Sequence, residues 1–371
     1  MPLFRRVLAR LQEETLLAVL LISLVPLLWF VPVEFYELAG LVDWKTIGAL
    51  TGLMVLSRGL EVSGVLAYLG RRMLAGIRNE RTLALTLVLF SALLSAVITN
   101  DVALFIVVPI TLSLGMIADL PLGRLVIFEA LAVNAGSAIS PIGNPQNLFL
   151  WQISDASFLE FLWAMTPLSI GLVLILLLTV PLAFSRKEIV LKKISIGSGI
   201  KRPLLWVSLL LYPVFLVLVD QGFAFHAAAG IVLLYLIFSR EVLLGVDWLL
   251  LLVFVLMFVD LGLLAKLPVV TDNAGLIELL PGGIFTAGIL TSQVMSNVPA
   301  AIFLEAFTDD WKLLAWGVSV GGFGLGIGSL ANLIALRLAR GEATWLEFHK
   351  WSIPLLFICS AVAYGLIWVV G

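Results

Sequence analysis

The sequence is short of charge, cysteine and histidine, and it contains no long polar stretch. Lys, Arg, Asp and Glu make up 12% of 371 residues, about half the share of a soluble domain. Hydrophobic residues make up 61%, and the mean hydropathy is +1.14. Together with repeated apolar runs, this argues against a soluble globular chain and for a polytopic helical membrane protein. The single Cys359 excludes an intramolecular disulfide and a cysteine-based metal site. His226 and His349 stand far apart, outside any metal-ligand spacing. No Ser-His pair, Gly-x-Ser-x-Gly or paired histidines with a carboxylate occurs, so enzyme chemistry has no support. ATP use has none either, because no phosphate-binding loop ends in Lys-Ser/Thr. No basic stripe suggests nucleic acid, and no polar segment is long enough for a receptor or signalling domain.

What is present is a series of apolar runs, several too short for a hydrocarbon core that needs about 20 helical residues. They fall at 15–33, 44–60, 82–98, 102–118, 122–136, 145–153, 160–184, 203–219, 223–239, 246–264, 283–295, 298–308, 311–325, 330–338 and 352–370. The short ones adjoin polar interruptions, which pairs them as hairpin arms or halves of broken helices. Arg5, Arg6 and Arg10 followed by a run from Thr15 resemble a signal peptide, but the run is long and lacks a small-residue cleavage site. It is expected to be a retained first helix. With the N-terminus inside and 82–118 and 281–308 returning to their own sides, 19 of the 22 basic residues face the cytoplasm. Only Lys45, Lys266 and Lys312 fall outside, and the C-terminus is extracytoplasmic. Two full crossings with a minimal turn give the same charge map. The tip Thr99-Asn100-Asp101 has no hydrophilic loop around it, which favours a re-entrant hairpin.

The interruptions occur twice. Thr99-Asn100-Asp101 is followed by Ser140-Pro141-Ile142-Gly143-Asn144-Pro145-Gln146-Asn147. Ser296-Asn297-Val298-Pro299 is followed by Gly326-Ile327-Gly328-Ser329-Leu330-Ala331-Asn332. At an offset of 197, Ser95, Val97, Asn100 and Ala103 meet Ser292, Val294, Asn297 and Ala300. At 185, Gly136, Gly143 and Asn147 meet Gly321, Gly328 and Asn332. The expected architecture is all-α with two inverted repeats, each holding a re-entrant hairpin and a broken transmembrane helix. The N-terminal repeat covers 1–184, with its hairpin at 82–118 and its broken helix at 122–153. A cytoplasmic linker and connecting helix cover 185–222. The C-terminal repeat covers 223–371, with hairpin 281–308 and broken helix 311–340. Gly64–Ile77 and Leu267–Leu280 read as interfacial arms.

Broken membrane helices survive only where protein or a cavity satisfies the freed backbone, and paired breaks in two halves point to a transporter site. Hard oxygens at a tip suit Na⁺ or a proton, and a helix N-terminus suits an anion. The candidate substrate- and ion-binding residues are therefore Thr99, Asn100, Asp101, Asn134, Ser137, Gly143, Asn144, Asn147, Ser296, Asn297, Gly328, Ser329 and Asn332. Na⁺ is assigned to Thr99, Asn100 and Asp101, and Asp101 and Glu129 are candidate proton carriers, since intramembrane carboxylates are functional by default. Competing roles are a helix cap for Asp101, a buried hydrogen bond for Glu129, and close helix packing for the glycines of 321–328. Arg58 and Glu61 suit a salt bridge near the inner surface.

The strings ITNDVALFIVVPI (98–110), NAGSAISPIGNPQNLFLW (134–151), SNVPAAIF (296–303) and GIGSLANL (326–333) resemble the ion transporter superfamily. That superfamily holds arsenite-efflux permeases, Na⁺/H⁺ antiporters and divalent-anion/Na⁺ symporters. Asn-Asp at the first tip and Asn-Val-Pro at the second are closer to the permease and antiporter branch than to the Ser-Asn-Thr tips of symporters. The Ile142–Asn147 string resembles compact prokaryotic anion permeases. The resemblance implies a scaffold-plus-transport-domain architecture, a homodimer in the inner membrane, and elevator-like movement of a small inorganic or organic anion. The coupling ion is Na⁺ or H⁺, by symport or antiport, and no cofactor is expected. A Na⁺/H⁺ antiporter without anion substrate is the alternative, and a channel is the further one.

Overall fold

A computed structural model describes residues 15–74, 76–115, 118–189, 199–339 and 341–370. The basic residues Arg5, Arg6, Arg10, Lys192, Lys193 and Arg340 lie outside them. The described residues form helices and no β-strand; an isolated bridge joins Asn79 to Glu188. In chain order the helices are α1 Thr15–Phe30, α2 Phe35–Gly40, α3 Trp44–Val62, α4 Val65–Leu74, α5 Glu80–Val97, α6 Asn100–Gly115, α7 Leu122–Ser137, α8 Pro145–Ile153 and α9 Phe158–Ala183. Then follow α10 Arg202–Asp220, α11 Ala224–Phe238, α12 Arg240–Leu244, α13 Trp248–Ala265, α14 Pro268–Thr271, α15 Ile284–Met295, α16 Asn297–Glu305, α17 Trp311–Gly321, α18 Leu330–Leu338 and α19 Trp345–Val370.

Five of these are long and apolar enough to cross a membrane, or six if α3 and α4, bent by 56°, make one span. The outer faces of these and of the shorter apolar helices α1 and α11 expose large apolar side chains, among them Trp29, Leu178, Leu182, Ile237, Phe357 and Trp368, as lipid contact demands. Helix limits follow local chemistry. Asp43, Asn79, Ser157 and Asp310 cap α3, α5, α9 and α17 with side-chain oxygens. Gly64, at φ +80°, turns the chain from α3 into α4. The run expected at 352–370 starts earlier, at Trp345, because Thr344 Oγ1 accepts the Glu347 amide and caps the helix. Of the two arms, α4 buries Leu66, Gly70 and Leu74, while α14 and the 3₁₀ turn Ala274–Ile277 bury no residue.

Packing falls into two sets. In the first, α3 lies against α10 and α11, and α13 against α1. Ser23 donates to Asp260 across the α1–α13 contact. In the second, α5 packs on α7 and α15 on α17, and α9, α18 and α19 pack around them. The closest approaches there are at glycine: a Cβ on Gly136 would stand 2.1 Å from the Ala92 carbonyl, and one on Gly317 2.3 Å from that of Phe285. The sets meet where α13 touches α16 and α3 touches α8, and α4 bridges α3 to α5 and α6. Basic residues gather in two clusters. Arg81 and Arg124 donate to the carbonyls of Pro181, Ala183 and Phe184 at the end of α9, and Arg124 pairs with Glu347 at 3.4 Å. Lys201 pairs with Glu241, and Arg58 with Glu61 at 2.7 Å. Lys187 pairs with Asp119 at 2.9 Å and holds that carboxyl below the ordinary carboxylate range.

Candidate functional site

Both tips and both breaks meet around one cavity. Chain regularity lapses at Ile98–Thr99 between α5 and α6, and at Ser296 between α15 and α16. The two tips differ. The first is extended, whereas Ser296 takes φ 76° and ψ 157°, a region that only glycine adopts without strain. Between α7 and α8, residues 138–144 are unwound. Asn144 caps α8 by accepting the Asn147 amide at 2.8 Å, and Pro145 opens that helix where a missing N–H costs nothing. Asn147 Nδ2 donates to the Ala138 and Ser140 carbonyls, at 2.9 and 3.2 Å, so the break is held by a side chain of the following helix. Ser329 plays the corresponding part in the second half, capping α18.

The first tip is tied to the first break by the Asn100 amide donating to the Gly143 carbonyl at 2.8 Å and by Ser140 Oγ donating to Ala96. The second tip is tied to the second break by Gln293. Its Nε2 donates to the Gly321 carbonyl at 2.7 Å, and its Oε1 accepts the Leu325 amide at 2.7 Å. The two halves join through Asn134 on α7. Its Nδ2 donates to Asn332 Oδ1 at 2.9 Å and to the Gly322 carbonyl at 3.2 Å, and its Oδ1 accepts from Ser329 Oγ at 3.0 Å. Asn332 Nδ2 adds a second donor to Gly322.

The cavity is lined by Asn100 and Asp101 from the first tip, Pro145 from the first break, Asn297 and Val298 from the second tip, and Ser329 and Leu330 from the second break. Leu250 and Phe254 of α13 close it. Its volume of about 10 Å³ is room for one water molecule. Asp101 is its one charged lining residue among those described. Among the described residues no side chain or amide donates to the Asp101 carboxylate, so α6, which begins at Asn100, is not capped by it. Two further oxygens at the first break, Gln146 Oε1 and Asn147 Oδ1, are buried without a partner among the described residues.

The sequence-derived residues thus divide by position. Asn100, Asp101, Asn297 and Ser329 face the cavity; Asn134, Ser137, Gly143, Asn144, Asn147, Ser296, Gly328 and Asn332 surround it as the framework of the tips and breaks. Thr99 is buried beside them without lining the cavity. Glu129 stands apart, fully buried on α7, with one oxygen accepting from Thr111 and the other without a partner among the described residues. Gln293, Leu250 and Phe254 are absent from the sequence reading, and Gln146 stands in its first break string without being named as a site residue. Only Gln293 carried a signal, as an amide within an apolar run ending at a tip. Of the two roles weighed for the glycines, packing accounts for Gly321, whose Cβ would strike Ser292 at 2.5 Å, and for Gly324 against Gln293.

The sequence model of a family described as Citrate transporter (CitMHS) matches residues 10–321. An inner membrane protein of Escherichia coli K12, YbiR, is 42% identical, covering 96% of each chain. A protein of Methanocaldococcus jannaschii named as an uncharacterized transporter is 33% identical over 90% of this chain and 92% of its own. A silicon efflux transporter of rice is 32% identical over 34% of this chain and 26% of its own.

Proposed function

The chain belongs to the citrate transporter (CitMHS) family, and from that membership we propose that it is an ion-coupled secondary carrier of a small anion or oxyacid. It is a membrane transporter related to inner membrane proteins; the coupling and the cargo are our reading. One observation carries it: the Asp101 carboxylate lines a cavity shared by both tips and both breaks, with no donor on it among the described residues. A cation or proton entering that cavity supplies the missing partner. The α8 and α18 N-termini, capped by Asn144 and Ser329, provide the amide ends that favour an anion. Glu129 is a second proton-carrying candidate on the same helix as Asn134.

In this reading the two halves are inverted repeats, the tips belong to re-entrant hairpins, and the basic clusters mark the cytoplasmic side. The second packing set moves against the first, elevator fashion, and α4 and the segment at 268–277 are the arms between them. The division of packing contacts into two sets supports this movement. The family name suggests carboxylates such as citrate, and the rice relative suggests silicic acid; a homodimer is our expectation from the family resemblance. A Na⁺/H⁺ antiporter without anion substrate is the second reading, favoured by a cavity with a carboxylate and no Lys or Arg in its lining.

The test is purified protein in liposomes with a trapped pH dye. A Na⁺ jump is applied alone, then with citrate, silicic acid, arsenite or inorganic oxyanions. Flux that needs an added anion supports the carrier of anions; Na⁺-driven proton movement without one supports the antiporter. Asp101→Asn is expected to lose ion-driven flux while keeping its elution volume and helix content. Unchanged flux in that variant overturns the assignment. Saturation at low substrate and counterflow distinguish a carrier from a channel.

A further inference from the structure

Unwound residues between α17 and α18 leave amides that no helix satisfies. Two of these are held from outside the segment. Leu325 N–H goes to Gln293 Oε1, and Gly326 N–H goes to Nε2 of His349 at 3.1 Å, from α19. The first acceptor is a neutral amide at any pH. The second accepts only while the imidazole is uncharged, because protonation turns Nε2 into a donor facing another donor. Geometry fixes the ring there. It stacks on Trp345, centroids 5.6 Å apart at 29°, and packs edge-on against Phe348. The Trp345 ring also covers Gly326, where a Cβ would lie 2.3 Å from it. The glycine at 326 thus lets this aromatic pair close onto the backbone of the break.

We propose that His349 is a positioning residue whose neutral imidazole holds the Leu325–Gly328 segment in place, and that its protonation releases the segment and so makes the site pH-responsive. The proposal rests on the transport reading for its consequence, since Ser329 and Leu330, next in the chain, line the cavity. The charged groups on the elements around the ring are Glu347 and Lys350 of α19, Arg124 of α7, Arg337 of α18, and Glu342 before α19. Arg124 is engaged by Glu347 and the Ala183 carbonyl. Among the described residues none of these forms an ion pair or hydrogen bond with the imidazole, whose edge is half-buried. α15 brings Gln293 to the segment and no ionisable group.

The experiment measures the segment itself, so that it succeeds or fails independently of any flux assay. Hydrogen–deuterium exchange of peptides covering 321–332 is followed in detergent from pH 8 to 5.5, corrected for intrinsic exchange. In the wild type, protection at Gly326 is expected to fall as the pH is lowered, by up to about tenfold per pH unit once the imidazole takes up its proton. His349→Gln keeps an acceptor that does not titrate, and is expected to give a pH-independent profile at near wild-type protection. His226→Gln is expected to behave as wild type. A flat wild-type profile, or a pH response that persists in His349→Gln, overturns the proposal; the wild-type measurement stands even if the variant fails to fold. With the segment result in hand, the inflection of liposome flux against internal pH is expected to be lost in His349→Gln. A flux inflection that survives there removes the link between the segment and transport and leaves the transport reading intact.

Discussion

Asn134 spends its whole side-chain amide on the opposite half of the chain, meeting Gly322, Ser329 and Asn332. Asn134→Ala leaves the buried Ser329 hydroxyl and Asn332 Oδ1 without that partner. Each stranded polar group costs about 1–3 kcal/mol. The expected result is a clear fall in melting temperature in detergent, and a variant that melts like wild type would show that water replaces the amide. Ser296 offers the opposite sign. Its φ of 76° is a backbone state costing about 1–3 kcal/mol for a residue with a Cβ. Ser296→Gly is expected to raise the melting temperature, at the loss of a 3.4 Å contact between Ser296 Oγ and Asn297 Oδ1. Polar residues interrupting apolar runs were legible in the sequence, which is why Asn100, Asp101, Asn297 and Ser329 were named as candidates. Gln293 and His349 were not, because their role is a contact 28 and 23 residues away, and no local pattern encodes it.

Among the helices, glycine decides how close two axes come. Gly136 lets α7 rest on the backbone of α5, while Gly230, inside α11, has nothing within 4 Å of an added Cβ. Gly136→Ala forces that contact apart, and overpacking of this kind costs about 1–3 kcal/mol. Gly230→Ala is expected to be neutral or to stabilise by up to about 1 kcal/mol through helix propensity. Thermal unfolding of the two variants side by side checks the pair, and equal effects would sink the packing account. The limits of most helices were readable, since apolar runs end at Pro, Gly and capping residues. The α3–α4 bend of 56° was not, because Gly64 permits a turn without fixing its angle.

For the molecule as a whole, two packing sets meet at a cavity whose walls come from both: α13 on one side, the tips and the two breaks on the other. The duplicated order of elements in the sequence suggested two halves. It did not reveal that the dividing surface cuts across them, taking helices of each half into each set. If the sets slide, a bond across the cavity stops them. Leu250→Cys with Val298→Cys, in a chain whose native Cys359 is buried, is expected to form a disulfide on oxidation that abolishes flux until reduced. Mass spectrometry verifies the bond, and full flux through the cross-linked protein would refute the movement.

The size of that cavity bears on ion choice. At about 10 Å³ it holds one water-sized body. On the cation reading, an ion seated beside Asp101 has therefore shed most of its hydration shell. Its oxygens must come from the protein instead. Preference among alkali ions then follows the difference between dehydration energy and the field of a few fixed oxygens, and ionic abundance outside sets only the supply. A selectivity series across Li⁺, Na⁺ and K⁺ becomes a ruler for the spacing of those oxygens.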